Sequence, residues 1–261
     1  MRWRLGVVGS PIAHSLSPQL HEAGLHILGL EGTSQRIEIA RDETDRLRRL
    51  VEREFDALSV TMPLKHVARV VCDDLDPCAD RTGSVNSILR KGDVTFGRST
   101  DGDGFINSVT HDFDFNVATK NVAILGSGGA ATAIVDALVR HNVGSLALLA
   151  RNESVVRSIV EKYPNVLTEV DETNHLDLVV NTVPVNDETD SFLFSQGVLD
   201  ETTICVDIGY EPRTTPWLRN MRALGCRGAN GLSMLAHQAQ LQMQWWFNES
   251  LPIEDLLGAI E

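Results

Sequence analysis

The stretch Val122-Ala123-Ile124-Leu125-Gly126-Ser127-Gly128-Gly129-Ala130-Ala131 decides the fold. Four consecutive apolar residues suit a strand buried on both faces, as in a parallel sheet clad with helices. The glycines fit G-x-G-x-x-[GA], and an alanine-rich helix over Ala130–Arg140 follows. In that pattern Gly126 permits the tight turn and Gly128 lets backbone approach a pyrophosphate. Ala131 keeps the helix close to its strand, and Ser127, Gly129 and Ala130 bring the helix N-terminus with its N–H donors to the phosphates. The competing reading is a tight turn that binds nothing. A second strand at Leu146–Leu149 and a helix around Val155–Tyr163 favour the nucleotide site.

An NAD-selective fold would end its second strand on Asp or Glu to accept the ribose hydroxyls. Here Leu149-Ala150 runs into Arg151, whose guanidinium suits a 2′-phosphate, so NADP is favoured. Glu153 is the counterweight. It either takes the acidic role and admits NAD, or sits in a first helical turn where the dipole favours an acid.

Outward from this unit the alternation continues. Leu176–Val180 and Thr203–Val206 extend the C-terminal series. In the N-terminal half, Arg4–Val8, Gln35–Ile39 and Ala57–Val60 read as strands. Between them lie a helix capped by Ser17 with Pro18 at its first position, and a charged helix over Asp42–Glu54. Val85–Arg90 and Val94–Ser99, joined by Lys91-Gly92-Asp93, form a hairpin. Two α/β units are expected, with the break within residues 101–120. From Gly231 a long helix carries Leu232, Leu235, Ala239, Gln242 and Trp246 along one stripe with no strand after it, and it is expected to return to the first unit.

Composition sets the outer bounds. The 261 residues carry 23 Lys and Arg against 36 Asp and Glu, a net charge of −13, which argues against nonspecific nucleic-acid or acidic-membrane binding. Cys72, Cys78, Cys205 and Cys226 form no C-x-x-C pair and read as small buried hydrophobes in a reducing compartment. Arg2 and Arg4 begin a pattern like a signal peptide, but Gly9-Ser10-Pro11 ends the apolar run, and a cytoplasmic location is expected.

The N-terminal half also holds polar residues that a buried α/β unit does not require. Ser15 and Ser17, beside a helix start, make a carboxylate cradle, or Ser17 only caps the helix. Lys65 follows the Ala57–Val60 strand through Thr61-Met62-Pro63-Leu64; Asn86 and Asp101 alone pass as turn residues. Taken together, Gly9-Ser10-Pro11-Ile12-Ala13-His14-Ser15-Leu16-Ser17-Pro18, Val60-Thr61-Met62-Pro63-Leu64-Lys65, Val85-Asn86 and Ser99-Thr100-Asp101-Gly102 resemble shikimate dehydrogenase, in order. The likeness runs on through the glycine turn, Asp207-Ile208-Gly209-Tyr210-Glu211-Pro212 and Gly231-Leu232-Ser233-Met234-Leu235-Ala236-His237-Gln238, and covers essentially the whole chain.

The resemblance implies an N-terminal α/β substrate domain with a mixed sheet (1–103), a Rossmann-type doubly wound NADP-binding domain (104–235), and C-terminal helices (236–261) packing back on the first. It implies that Ser15, Ser17 and Tyr210 hold the substrate carboxylate, and that Thr61, Lys65, Asn86, Asp101 and Gln238 surround the ring hydroxyls. Lys65 and Asp101 are the implied proton-transfer pair. Thr182, Val183, Ile208 and Gly231 line the cofactor site with the glycine turn and Arg151. The substrate pair would be 3-dehydroshikimate and shikimate, in aromatic amino-acid (chorismate) biosynthesis, with no nucleic-acid or membrane partner and a monomer or homodimer as the assembly. Departures from the family pattern are Glu22, Ala150, Val155 and Val183, with Arg157 on another helix face; they bear on cofactor preference. His14 and His21 read as structural. A quinate or dual quinate/shikimate dehydrogenase, using NAD or NADP, is the alternative, and Ser17 rather than Thr leans toward shikimate. A ligand-sensing paralogue without catalysis is the reading from another class, and retention of both Lys65 and Asp101 argues against it.

Overall fold

The computed structural model describes residues 2–170, 174–184 and 198–261. It divides into two compact units: one runs to Asn107 and resumes at Leu235, and the other spans Ser108–Met234.

In the first unit the strands are β1 (Trp3–Gly9), β2 (Gly32–Glu38), β3 (Ala57–Val60), β4 (Asp74–Leu75), β5 (Ser87–Lys91) and β6 (Val94–Arg98). They form one mixed sheet in the order β2-β1-β3-β5-β6-β4. β1 pairs parallel with β2 and β3, whereas β5 runs antiparallel to both β3 and β6. Helix α1 (Ser17–Ile27) ends where Gly29 takes a left-handed φ of 64°. The expected Asp42–Glu54 helix is α2 (Thr44–Arg49) running into a π-helical turn at Leu50–Glu54. Leu47, Leu50, Val51, Leu58 and Ile88 are buried in one cluster beneath it.

Helices α3 (Lys65–Arg69), α4 (Pro77–Thr82) and α5 (Asp101–Phe113) complete this half of the chain. One expectation changes here: Asp101 is the first residue of α5, not a turn residue. The division between the units, after Asn107, falls inside the segment expected to hold it, and α5 runs through it. Asp101 and Asp103 fall in the first turn, where the macrodipole favours acids, and this offsets the poor helix propensity of Gly102 and Gly104.

The second unit holds β7 (Asn121–Leu125), α6 (Gly129–Arg140), β8 (Ser145–Leu149), α7 (Glu153–Lys162), β9 (Val166–Leu167), β10 (Leu178–Asn181), β11 (Ile204–Asp207), α8 (Pro216–Ala223) and β12 (Arg227–Ala229). Among the described residues these strands all pair parallel, in the order β12-β11-β10-β7-β8-β9. Renumbered within the unit this is the 3-2-1-4-5-6 order of a doubly wound dinucleotide-binding sheet, read from its other edge. Ala123, Ile124 and Val179 are completely buried, as strands covered on both faces require.

Helix α9 (Leu232–Phe247) starts in the second unit and ends in the first, and α10 (Ile253–Gly258) follows. Within the first unit the return is close: Trp3 meets Phe247 edge-on at 4.9 Å, and Trp246 donates to Ser87 Oγ at 2.9 Å. Among the described residues no helix is long and apolar enough to cross a membrane.

Candidate active site

The polar residues of the first unit gather because β5 runs against its neighbours. The carboxyl ends of β1, β3 and β6 and the amino end of β5 share one edge of the sheet, where ligands of open α/β sheets bind. The Val60 N–H donates to the Asn86 carbonyl at 2.8 Å, Val85 N–H to that of Lys65 at 3.0 Å, and Asn86 N–H to that of Arg98 at 3.0 Å. These bonds fix the backbones that carry Lys65, Asn86 and Asp101.

Lys65 Nζ meets Asp101 Oδ2 at 2.5 Å, with both side chains mostly buried. Asp101 Oδ1 accepts from Asn86 Nδ2 at 2.8 Å, so each carboxylate oxygen has its own donor. Asn86 Nδ2 also lies 2.9 Å from Thr100 Oγ1 and 3.2 Å from Gln238 Oε1. Gln238 reaches this group because α9 passes directly over α5. A Cβ on Gly104 would stand 2.7–2.8 Å from the backbone N and Cα and the Cβ of Gln238, so only glycine admits that approach.

The serine loop is built differently. Ser17 is the first residue of α1 rather than its cap, and Leu16 occupies the cap position without a side-chain bond. Ser15 Oγ accepts the Ser17 N–H at 3.3 Å. Arg36 on β2 holds the loop, donating to the Ser15 carbonyl at 2.8 Å and to Gln19 Oε1 at 2.9 Å. Thr61 is tied to β1 through its N–H and the Val8 carbonyl at 2.9 Å. Of the two histidines read as structural, His21 is fully buried and His14 is exposed. The first unit thus brings together Lys65, Asn86, Asp101 and Gln238.

In the second unit the glycine turn joins β7 to α6 at the strand beside which the sheet order reverses. Gly126 has φ of 108°, a conformation that L side chains rarely adopt, and its N–H donates to the Leu149 carbonyl at 2.8 Å. Gly128 is the N-cap of α6 and makes no side-chain cap bond, while a Cβ there would meet nothing within 4 Å. Uncapped N–H groups of Gly129 and Ala130 behind an open, side-chain-free surface fit a pyrophosphate. Ala131, the small third position, is completely buried.

Arg151 and Glu153 are exposed at the carboxyl end of β8, and Glu153 is the first residue of α7 behind the Asn152 cap. Beside them a cleft of about 470 Å³ is lined by Leu148, Ala150, Glu153, Val156 and Arg157, among others. Thr182 Oγ1 donates back to the Leu125 carbonyl at 2.7 Å, and Val183, which lacks a hydroxyl, follows it. At the end of β11, Asp207 is fully buried; burial pushes its carboxyl up, against the pull of bonds from Thr215 Oγ1 at 2.5 Å and Gly209 N–H at 3.0 Å. That carboxylate shapes the turn through Ile208 and Gly209 to Tyr210. Gly231 packs on the same turn: a Cβ there would lie 2.0 Å from the Ile208 carbonyl oxygen.

Sequence reasoning missed Arg36, Thr100, Gly104 and Gln242. Gly104 lies in a stretch, Asp101-Gly102-Asp103-Gly104, with the composition of a turn, and only its packing against Gln238 singles it out. The other three show no local signal, since their partners lie far away in the chain.

A sheet of this order with this turn defines the class: an α/β protein of the dinucleotide-binding kind, joined to a second α/β unit with a lysine–carboxylate site. The comparisons narrow it. The family model of the shikimate dehydrogenase substrate binding domain matches residues 7–88. A shikimate dehydrogenase (NADP(+)) of Exiguobacterium sp. is 34% identical over 246 residues, covering 93% of this chain and 92% of that protein. Shikimate 5-dehydrogenase from Thermus thermophilus, solved with NADP(H) and shikimate, superposes with a TM-score of 0.88 at 28% identity, covering 98% of each chain. Quinate dehydrogenase from Corynebacterium glutamicum, solved with NAD, gives a TM-score of 0.83 at 25% identity, covering 99% of this chain and 98% of that one. The chain belongs to the shikimate dehydrogenase family.

Proposed function

We infer that this protein is an NADP-dependent oxidoreductase that interconverts 3-dehydroshikimate and shikimate in aromatic amino-acid biosynthesis. The observation that carries the reading is the Lys65–Asp101 pair at 2.5 Å, buried together and joined to the Asn86 and Gln238 amides.

A nicotinamide cofactor held by the glycine turn would supply or take the hydride; the proton is the protein's task. An alcohol loses hydride only if its hydroxyl loses a proton, so a base and acid must stand within hydrogen-bond reach. Lys65 polarises the ketone oxygen and gives it a proton in reduction; in oxidation it receives that proton. Asp101 holds the ammonium in place through Oδ2, and Asn86 holds Asp101 through Oδ1. The two side chains act as a coupled unit.

In this reading the first unit is the substrate domain. Ser15 and Ser17 hold the carboxylate, and Thr61, Asn86 and Gln238 hold the ring hydroxyls. The second unit is the cofactor domain: the Gly126–Ala130 turn takes the pyrophosphate and Arg151 the 2′-phosphate. Ile208 and Gly231 line the nicotinamide end, and Thr182 and Val183 line the cofactor site. Four free thiols suit a reducing, cytoplasmic setting, and monomer or homodimer is the proposed assembly.

A second reading, quinate or dual quinate/shikimate oxidation with NAD, draws on Ala150 and Val155 flanking Arg151 and on the likeness to the quinate enzyme. One spectrophotometric matrix decides, with shikimate and quinate each run against NADP and NAD. The highest kcat/KM is expected for shikimate with NADP. Faster turnover of quinate with NAD would install the second reading. Shikimate binding without turnover by either cofactor would make the protein a sensor.

A further inference from the structure

Asn86 and Gln238 present side-chain amides to the site, and an amide offers a ligand either a donor or an acceptor depending on its other bonds. Here backbone groups, which cannot be turned round, make the choice. The Thr100 N–H donates to Asn86 Oδ1 at 2.8 Å, so the Asn86 nitrogen must face Asp101. The Leu235 carbonyl accepts from Gln238 Nε2 at 2.8 Å. The Asn86 carbonyl accepts from Gln242 Nε2 at 3.1 Å.

With those orientations fixed, the second N–H of Gln242 falls on Gln238 Oε1 at 2.6 Å. That oxygen also faces Asn86 Nδ2 at 3.2 Å, whose second N–H it shares with Thr100 Oγ1 at 2.9 Å, so it is turned to protein donors and away from a ligand. Gln238 is left with one N–H to show a ligand.

Behind Gln242 the polarity continues in one direction. Its Oε1 accepts the Ser59 hydroxyl at 2.5 Å. Ser59 must then accept from His21 Nε2, 2.9 Å away, which leaves His21 Nδ1 to accept the Ser34 hydroxyl at 2.7 Å. His21 and Gln242 are at most 1% exposed, and desolvation lowers the His21 pKa to about 3, so the imidazole stays neutral and the chain keeps its sense.

We propose that Gln242 is a positioning residue that sets Gln238 to meet the substrate as a hydrogen-bond donor and holds Asn86 against Asp101, with Ser59 and His21 fixing its own orientation. The proposal rests on reading this site as the shikimate site. It makes the site selective for a substrate oxygen that turns a lone pair to Gln238. A leucine of similar size would fill the buried space and remove both donors.

The test compares Gln242→Leu, Ser59→Ala and Ser59→Thr with the wild-type protein. For Gln242→Leu the KM for shikimate is expected to rise about tenfold, a loss of about 1.4 kcal/mol. The KM for NADP should not move, which separates positioning from general loosening of the fold. Ser59→Ala should shift the shikimate KM the same way by a smaller factor, and Ser59→Thr, which keeps the hydroxyl, should restore it. An unchanged shikimate KM in both Gln242→Leu and Ser59→Ala overturns the proposal; should Gln242→Leu fail to fold, the Ser59 pair makes the same comparison.

Nitrogen-15 spectra of His21 read the polarity without turnover. The Nε2–H tautomer at neutral pH supports the proposal, and an Nδ1–H tautomer overturns it. Wild-type protein that turns over no shikimate defeats the functional reading instead, and the imidazole spectrum still decides the direction of the chain.

Discussion

The two units hold their sites by opposite means. In the first, the proposed recognition is written in side chains: Lys65, Asn86, Asp101, Gln238 and Gln242 bond one another from segments as far apart as residues 86 and 242. In the second, it is written in backbone: a glycine turn, an uncapped helix N-terminus and a glycine pressed against the Ile208 carbonyl. A phosphate needs N–H donors and room, which backbone supplies. A proton and a set of ring hydroxyls need groups of defined polarity, which only side chains supply. Substitutions that erase a functional group should therefore do most harm in the first unit, and substitutions that add an atom should be the sharper probe of the second.

The largest effect expected is from Lys65→Ala. Removing the proposed proton-transfer group should lower kcat by about 10³-fold or more, in line with the general acid–base contribution. Calorimetry should find shikimate bound within a few-fold of wild type, because the serine loop and the amides stay in place. A modest kcat loss with abolished binding would make Lys65 a mere anchor.

Next comes acid stability, which belongs to the first unit through His21. Burial lowers its pKa from 6.5 to about 3, so the unfolded chain binds a proton that the folded one refuses. The stability tied to this group is whole above pH 6.5 and falls as pH drops toward 3, at about 1.4 kcal/mol per unit. Between pH 6.5 and about 4.5 the loss amounts to roughly 2 kcal/mol. Asp207 in the second unit runs the other way, since its raised carboxyl favours the folded state as pH falls. Urea unfolding followed by tryptophan fluorescence, with Trp246 stacked edge-on at 5.1 Å from His21, should show the loss in wild type and its absence in His21→Gln.

How much of this was legible follows the same division. The β7–α6–β8 unit could be read from its own residues, because a buried strand, a glycine turn and an alanine-rich helix are local signals. Ser15, Lys65, Asn86 and Asp101 could be read only as a set, through the order of their motifs. Helix α4 had a full set of start and stop signals in Asp76, Pro77 and Gly83, and Thr215-Pro216 likewise opens α8; neither was read. The start of α5 was hidden because Asp101-Gly102-Asp103-Gly104 has the composition of a turn, and only packing shows why glycine is needed there. Gln242 read as one more residue of an amphipathic stripe; its bond to Ser59 spans 183 positions and leaves no local trace.

A matched pair of alanines tests the comparison across the units. Gly104→Ala drives a Cβ to 2.7–2.8 Å from Gln238, and Gly231→Ala drives one to 2.0 Å from the Ile208 carbonyl oxygen. Each should cost about 1–3 kcal/mol in stability, the range for overpacking. Their kinetic effects should part: Gly104→Ala raises the KM for shikimate, and Gly231→Ala raises that for NADP. Equal effects of both variants on both KM values would mean that the two sites are not held separately.

The smallest effect expected is the one that qualifies the contrast, because in the second unit one side chain should still matter. Arg151 follows β8 where an acid would select NAD, and a guanidinium there can pair bidentately with a 2′-phosphate. Arg151→Ala should raise the KM for NADP about tenfold, or about 1.4 kcal/mol, and leave that for NAD unchanged. Adding Glu153→Ala separates the two acid roles: if Glu153 only serves the first turn of α7, NAD usage stays flat, and if it grips the ribose, NAD usage falls. An NADP KM indifferent to Arg151 would leave the cofactor held by backbone alone, and the choice between NADP and NAD would then lie outside this strand end.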